Sequence, residues 1–287
     1  MYLNNLYSEF SVYSLRIKII SMAKASIHSP LNLPASFSSG DHSIFTNKFG
    51  NVIVRSKGGP RPEDVRTAPQ FANTRKNNIE FSGASSAAKM LGQALISVKH
   101  LNDCNIHSQF TGMIRSIFEM DPGPHGSRPV VFSRGAHLIS GFQLNNKNNF
   151  DSVIRTPVTF SIDRSEHQAV LQLPPLAPGV NFKSPWPYAF FRLRINLGIV
   201  RDMHYVDGFG YKPILEHRMG YTEYLDTEWY PADTKIIGQE VGLKIKDAVF
   251  DNTCSLVLSI GIEFASMRYG EIKPIKHAGC AKILGIA

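Results

Sequence analysis

The pattern of apolar and polar positions gives the first part of the chain a mixed character. Residues 43–57 alternate around the turn-rich "TNKFGN" and predict a β-hairpin. Three prolines then occur within ten residues, at positions 60, 62 and 69, and predict a crossing loop, because proline cannot extend a ladder or a helix interior. Residues 1–42 predict an extended arm. Since Met22 would also serve as a natural start, residues 1–21 are a candidate extension outside the folded unit.

Helical spacing follows the crossing loop. A short helix is predicted over 69–79, with a proline in its first turn. The segment 82–101 then predicts an amphipathic helix capped by Ser82 or Ser85. A further helix is predicted over 108–121, with Ser108 as its N-cap and "DPGPHG" as its end. The apolar positions that define these two faces recur at spacings of three and four: Ala84, Ala88, Leu91, Leu95 and Val98, then Phe110, Met113, Ile114, Ile117 and Phe118.

After residue 129 the pattern changes to short β-rich runs separated by turns. In "FFRLRINLGIV" the odd-numbered positions 191–197 form one apolar face, and in "SLVLSIGIEF" the even-numbered positions 256–262 do the same. About seven such runs predict an antiparallel β-sandwich over 129–287. The predicted fold class is α+β and mainly β, with this sandwich preceded by a basic segment, 43–128, of a hairpin and two or three helices. The two parts are either two domains or one fold.

The net charge is unevenly distributed along the chain. The chain of 287 residues has a formal charge of +8; residues 1–150 hold 16 basic and 8 acidic residues, and residues 151–287 hold 15 of each. An excess confined to one half suggests an acidic partner for that half. The candidate polyanion-binding residues lie in the densest basic stretch and are Arg55, Lys57, Arg61, Arg66, Arg75 and Lys76. The stretch lacks the interleaved aromatic residues of single-strand binders, so a solvated joint or an assembly contact is the competing interpretation.

Metal and catalytic motifs are weak. His100, Cys104 and His107 have a spacing that zinc sites use, but a fourth ligand is missing. His204 lies between Asp202 and Asp207, a pattern that suits a catalytic base but is more typical of a strand end and a turn. The sequence has no serine elbow and no phosphate loop, and "GFGYK" at 208–212 predicts a hairpin turn. We therefore expect no catalytic residues, no metal and no cofactor.

The segment "YTEYLDTEWY", residues 221–230, suggests a carbohydrate site. Its three carboxylates, Glu223, Asp226 and Glu228, alternate with aromatic residues that could stack on a sugar. A strand with a polar outer face gives the same pattern. Carbohydrate binding is therefore retained as an alternative function.

Cysteine usage and hydropathy bear on the compartment. The three cysteines are widely spaced and form no CxxC pair, which favours reduced, buried thiols and a cytoplasmic protein. The N-terminal segment lacks the charge order of a secretory signal, because Glu9 comes early and Arg16 and Lys18 interrupt its apolar portion. No apolar run is long enough for a membrane span.

The order of "TNKFGNVIVRSKGGP", "FANTRKNNIEF", a small-residue helix and a β-rich end closing in "HAGCAKILGIA" resembles a family of uncharacterised Bacteroidota proteins. The resemblance covers the chain after Met22 and implies a bacterial, non-catalytic protein. The sequence thus predicts a structural or interaction protein that assembles with itself or with other chains through strand edges. Nucleic acid is the alternative partner.

Overall fold

The computed structural model describes residues 36–39, 42–47, 51–56, 58–213, 221–246 and 250–287. It divides the chain into two compact units, Met1–Phe71 and Ala72–Ala287. The α+β, mainly β class predicted from the sequence is confirmed. Residues 1–35 lie outside the described residues, and so does the candidate extension 1–21.

The first unit contains a three-stranded antiparallel sheet in the order β1-β2-β3. Its strands are β1 (Ser36–Ser39), β2 (His42–Thr46) and β3 (Val52–Ser56). Strands β2 and β3 form the predicted hairpin, and β1 adds a strand in a region predicted as extended arm. A short helix, α1 (Pro62–Thr67), and a 3₁₀ turn (Pro69–Phe71) follow. Proline is tolerated in the first turn of α1, where its missing N–H would have no helical partner.

Two long helices open the second unit. Its helical elements are α2 (Ala72–Ala94), a 3₁₀ turn (Lys99–Leu101), α3 (Ile106–Glu119), α4 (Ala136–Ile139) and α5 (Phe150–Val153). The predicted break near Ser82 is wrong, because α2 runs straight through it. Gly83 does not interrupt α2; it lets the ring of Tyr211 approach, since a Cβ there would lie 2.5 Å from that ring. Helix α3 matches its prediction but begins at Ile106 after an Asn105 cap, not at Ser108.

The strands of the second unit are β4 (Thr159–Asp163), β5 (Gln168–Leu173), β6 (Phe190–Arg201), β7 (Met203–Val206), β8 (Gly210–Pro213), β9 (Thr222–Asp226), β10 (Tyr230–Pro231), β11 (Gln239–Lys244), β12 (Cys254–Arg268), β13 (Glu271–Pro274) and β14 (Cys280–Ile286). The main sheet has the order β10-β6-β12-β13, with β9 also paired to β6 and β14 to β12. A smaller sheet has the order β11-β5-β4. Strands β7 and β8 form a hairpin, as the glycines at 208 and 210 predicted.

The main sheet is buried on both faces. The predicted apolar face of β6 and β12 joins side chains of the smaller sheet in one core, which forms the sandwich. The opposite face joins the apolar faces of α2 and α3 in a second core that includes Val200 and Val257. Helices and sandwich therefore belong to one compact unit of three layers, whereas the sequence placed a boundary at 128/129 and left the one-fold alternative open.

Helix α2 approaches β6 very closely. A Cβ at Gly198 would lie 2.1 Å from the carbonyl oxygen of Ala94, so only glycine fits at that crossing. Beside it, the buried Asn196 donates through Nδ2 to the same oxygen (2.8 Å) and accepts from Ser97 Oγ (2.8 Å). These bonds satisfy polar groups at the helix end that burial would otherwise leave without partners.

Candidate interaction surfaces

The three-stranded sheet β1–β3 has a small apolar content and little cover. Among the described residues of the first unit, from His42 to Phe71, no side chain is buried. One face of the β2–β3 pair carries Ile44, Val52 and Val54, and the other carries Phe45 and Ile53, all of them half-buried. A sheet of this size needs a covered apolar face to be stable, and these half-buried side chains leave part of the β2–β3 surface available for contact with another surface.

The outer edge of β3 offers main-chain hydrogen bonds. Asn47 N donates to Asn51 O (2.9 Å), which makes positions 47 and 51 a hydrogen-bonded pair next to the turn. Because such pairs alternate along an antiparallel ladder, the N–H and C=O groups of Val52 and Val54 point away from β2. Within the described residues β3 is bonded on its β2 side only. This row of outward groups is the kind of edge that pairs with another strand.

The basic candidate residues are divided between the two units. In the first unit Arg55, Arg61 and Arg66 are exposed, and the guanidinium of Arg55 lies 5.6 Å from the ring centre of Phe45. Arg75 and Lys76 begin α2 in the second unit. Lys57 lies outside the described residues. The three arginines of the first unit form no ion pair with the described carboxylates, so they are available to an anion.

The three residues of the candidate metal site do not come together in the structure. His107 Nε2 lies 3.2 Å from Ser85 Oγ, and His100 Nε2 lies 3.2 Å from Glu263 Oε1. Cys104 Sγ accepts from the side chain of Gln109 (3.1 Å). Across the described ranges no group of three or more His, Cys, Asp or Glu side chains could hold a metal ion.

The two aspartates that flank His204 also lie in different environments. Asp202 accepts through Oδ1 from the amide of Phe132 (2.9 Å) at the end of β6, and its burial raises the pKa of this carboxyl. Asp207 instead lies in the turn of the β7–β8 hairpin, where Tyr205 is its hydroxyl neighbour at 3.5 Å. The two aspartates therefore serve a strand end and a turn.

The carboxylates of the segment 221–230 have different environments. Asp226 accepts two hydrogen bonds from Arg194, at 2.7 and 2.6 Å, whereas Glu223 and Glu228 are exposed. Trp229 lies beneath the guanidinium of Arg192, 4.5 Å from ring centre to Cζ. One carboxylate and one aromatic ring of this segment are thus already occupied by arginines.

These arginines belong to a charged cluster that sequence reasoning missed. Glu263 on β12 is buried and accepts from Arg192 Nε (2.8 Å). Burial alone would raise the pKa of Glu263, but hydrogen bonds from His100 and Arg192 and the charge of Arg194 lower it to about 2. A carboxylate held ionised in this way is a weak base, so the cluster stabilises the sheet rather than transferring protons. These residues come together only through the register of β6 against β12, so no local sequence motif indicates the cluster.

None of the described helices has both the length and the apolar character required to span a bilayer. Comparisons with family models, curated proteins and solved structures find no match for the chain.

Proposed function

We propose that this protein is a non-enzymatic structural or interaction protein that self-associates through its N-terminal sheet. The observation that carries the proposal is the outer edge of β3, where Val52 and Val54 direct main-chain groups away from β2. Strand addition at such an edge gains main-chain hydrogen bonds from a partner strand. Pairing at this edge would also join two three-stranded sheets into one larger sheet.

The mechanism is pairing between edge strands. A β3 strand that meets the β3 strand of a second copy in antiparallel orientation can exchange the N–H and C=O bonds of Val52 and Val54. A two-fold axis relates two such strands, so the same residues contribute from both copies. Reduced, buried thiols at Cys254 and Cys280 support a cytoplasmic location for this assembly.

The test uses a proline at an outward position. Val54→Pro removes the outward N–H but no ladder bond to β2, because position 54 is in a non-hydrogen-bonded pair. We expect the dissociation constant of the oligomer to rise by about tenfold or more, since the edge loses a donor and gains a ring. Size-exclusion chromatography with light scattering over a concentration series, at low and high salt, measures this change.

Val54→Thr is the matched control, because it keeps the N–H and the β-branched shape. Its oligomer should match that of the wild type, and circular dichroism should show the same strand content in all three proteins. A wild-type protein that stays monomeric at every concentration would contradict the proposal. An oligomer that Val54→Pro leaves unchanged would place the contact elsewhere.

A second candidate function is polyanion binding by the first unit. The observation that favours it is the exposure of Arg55, Arg61 and Arg66 without an ion pair to a described carboxylate. Phosphate groups are the anions that such arginines bind best.

A further inference from the structure

Trp186 lies in an open cleft of the second unit, whereas the proposed function rests on the sheet of the first unit. The cleft has a volume of about 570 Å³, which falls in the range of about 300–1,000 Å³ of small-molecule sites. Trp186 is 65% exposed, although large aromatic side chains usually bury most of their surface. An exposed tryptophan beside a concave surface is the observation from which the inference starts.

The backbone holds Trp186 in place. Prolines at 185 and 187 flank it and restrict its neighbouring dihedral angles. Its carbonyl oxygen accepts from the amide of Tyr188 (2.7 Å) and from the hydroxyl of Ser184. The restricted backbone fixes where the indole projects from the chain, so ligand binding there costs little backbone entropy.

The floor of the cleft is aromatic and fixed. Phe182 is buried and packs against Phe191, with 4.3 Å between ring centres. Tyr188 packs against Phe264 at 5.0 Å, and its burial raises the pKa of its hydroxyl. Packing therefore holds both rings beneath the cleft, and the half-buried Tyr188 is the one that keeps part of its ring accessible.

The polar side chains of the lining are Lys183, Ser184 and Asp233. A lysine can only donate and a carboxylate can accept, while the Ser184 hydroxyl already donates to the carbonyl oxygen of Trp186. One cation and one carboxylate give the lining no excess of either charge. Hydroxyl groups both donate and accept, so a ligand rich in hydroxyls is matched to both side chains.

From these features we propose that the cleft at Trp186 binds a neutral carbohydrate. The C–H face of a pyranose ring carries weak positive charge and stacks on the electron-rich face of an indole. Its hydroxyls suit the donor Lys183 and the carboxylate Asp233, while the open cleft leaves room for neighbouring sugar units. The site shares no lining residue with the segment 221–230, where the sequence suggested carbohydrate binding, although Ala232 and Asp233 lie just after that segment. It does not depend on the self-association of β3.

The chain has two tryptophans, so each can be tested against the other. In the variant Trp229→Phe, the full chain keeps Trp186 as its only indole. We titrate it with neutral hexasaccharides of β-1,4-linked glucose, β-1,4-linked N-acetylglucosamine and α-1,6-linked mannose. We expect at least one to shift the fluorescence of Trp186 in a saturable way, with a dissociation constant on the order of 1 mM or below.

Calorimetry with the same sugar then compares Trp186→Ala with Trp229→Phe. Trp186→Ala should weaken binding by about tenfold or more, because the stacking surface is lost, while Trp229→Phe keeps the wild-type affinity. Since Trp186 is exposed, its replacement should leave the melting temperature unchanged. The variant Val54→Pro should bind the sugar as the wild type does, which separates this test from that of the proposed function.

Three results would overturn the proposal. The first is that none of the hexasaccharides changes the fluorescence of Trp186 up to about 10 mM. The second is that Trp229→Phe loses binding and Trp186→Ala keeps it, which would assign the sugar to the segment 221–230. The third is that Trp186→Ala changes the oligomeric state instead of sugar binding, which would make the cleft a protein contact.

Discussion

Glu263 is a carboxylate that the fold has removed from water and surrounded with cations. Arg192 bonds to it directly, and Arg194 lies 3.9 Å from it while bonding to Asp226. Such an arrangement is stable only when each charge keeps a partner, because an unpaired charge in a buried site is costly. The cluster therefore ties β6, β9 and β12 together at one end of the main sheet.

Replacing Glu263 by glutamine should destabilise the protein in a pH-dependent way. The pKa of Glu263 falls from an ordinary value of 4.5 to about 2 in the folded protein. At about 1.4 kcal/mol per pKa unit, the ionised group contributes about 3 kcal/mol to the free energy of unfolding. Because the folded pKa is lowered, this contribution is complete above pH 4.5 and is lost as the pH falls towards 2. Urea unfolding of both proteins between pH 7 and pH 3 measures the difference.

Glu271→Gln provides the control for this measurement. Glu271 pairs with Lys273 at 3.2 Å on the surface, where its side chain is 73% exposed. An exposed pair of this kind contributes little, so the variant should unfold within about 0.5 kcal/mol of the wild type. If the effect of Glu263→Gln were the same at every pH, packing rather than charge would be its cause.

Helix α2 and strand β6 meet at a contact that depends on glycine. The carbonyl oxygen of Ala94 occupies the place that a methyl group on Gly198 would need, and the backbone on both sides is part of a regular element. Neither partner can move without breaking hydrogen bonds of the sheet or of the helix end. The contact thus sets how closely the helical layer lies on the main sheet.

Two glycine-to-alanine substitutions should have opposite effects. Gly198→Ala should lower the free energy of unfolding by about 3 kcal/mol or more, because the new Cβ collides with backbone. Gly112→Ala should raise it by about 0.5–1 kcal/mol, since Gly112 is exposed in the interior of α3 with no atom within 4 Å of its Cβ position. Thermal and urea unfolding measure both, and a neutral Gly198→Ala would show that the layers can separate.

The elements differ in how far the sequence could predict them. The period-two patterns of β6 and β12 predicted the buried face because that face contacts a single core. The break predicted near Ser82 was wrong, because the packing of Gly83 against Tyr211 comes from a strand more than a hundred residues later. The cluster around Glu263 could not be predicted, since its members meet only through strand register. The cleft at Trp186 could not be predicted either, because Ala232 and Asp233 reach it from a part of the chain more than forty residues later.

At the scale of the whole molecule, the two parts of the chain differ in net charge and in how their charged side chains are paired. The excess of positive charge lies in residues 1–150, and the exposed arginines of the first unit are part of it. The second unit instead holds many of its charges in pairs, such as Arg128 with Glu80 (2.6 Å) and Lys282 with Asp151 (2.8 Å). If the protein binds a polyanion, the exposed arginines of the first unit, which form no ion pair with a described carboxylate, should account for the salt dependence of binding.

The double variant Arg61→Ala/Arg66→Ala tests this expectation. Binding to a fluorescein-labelled DNA duplex, followed by anisotropy over a salt series, should show a slope of log affinity against log salt reduced by up to about 2. Arg268→Ala/Lys276→Ala is the matched control, because it removes the same charge from exposed positions of the neutral half. Equal slopes for the two double variants would indicate attraction by net charge alone, and no binding at low salt would remove polyanion binding from consideration.

The long sequence separation between β6 and β12 also affects the order in which the elements of the second unit can form. Residues 202–253 separate these two strands, so the central ladder can form only after a long loop has closed. Helices α2 and α3 are neighbours in sequence and can pair much earlier, but their apolar faces are then still without the sheet that covers them. During synthesis α2 and α3 are made before β12, so their apolar faces lack the sheet that covers them until β12 has been added, and aggregation competes with folding in that interval.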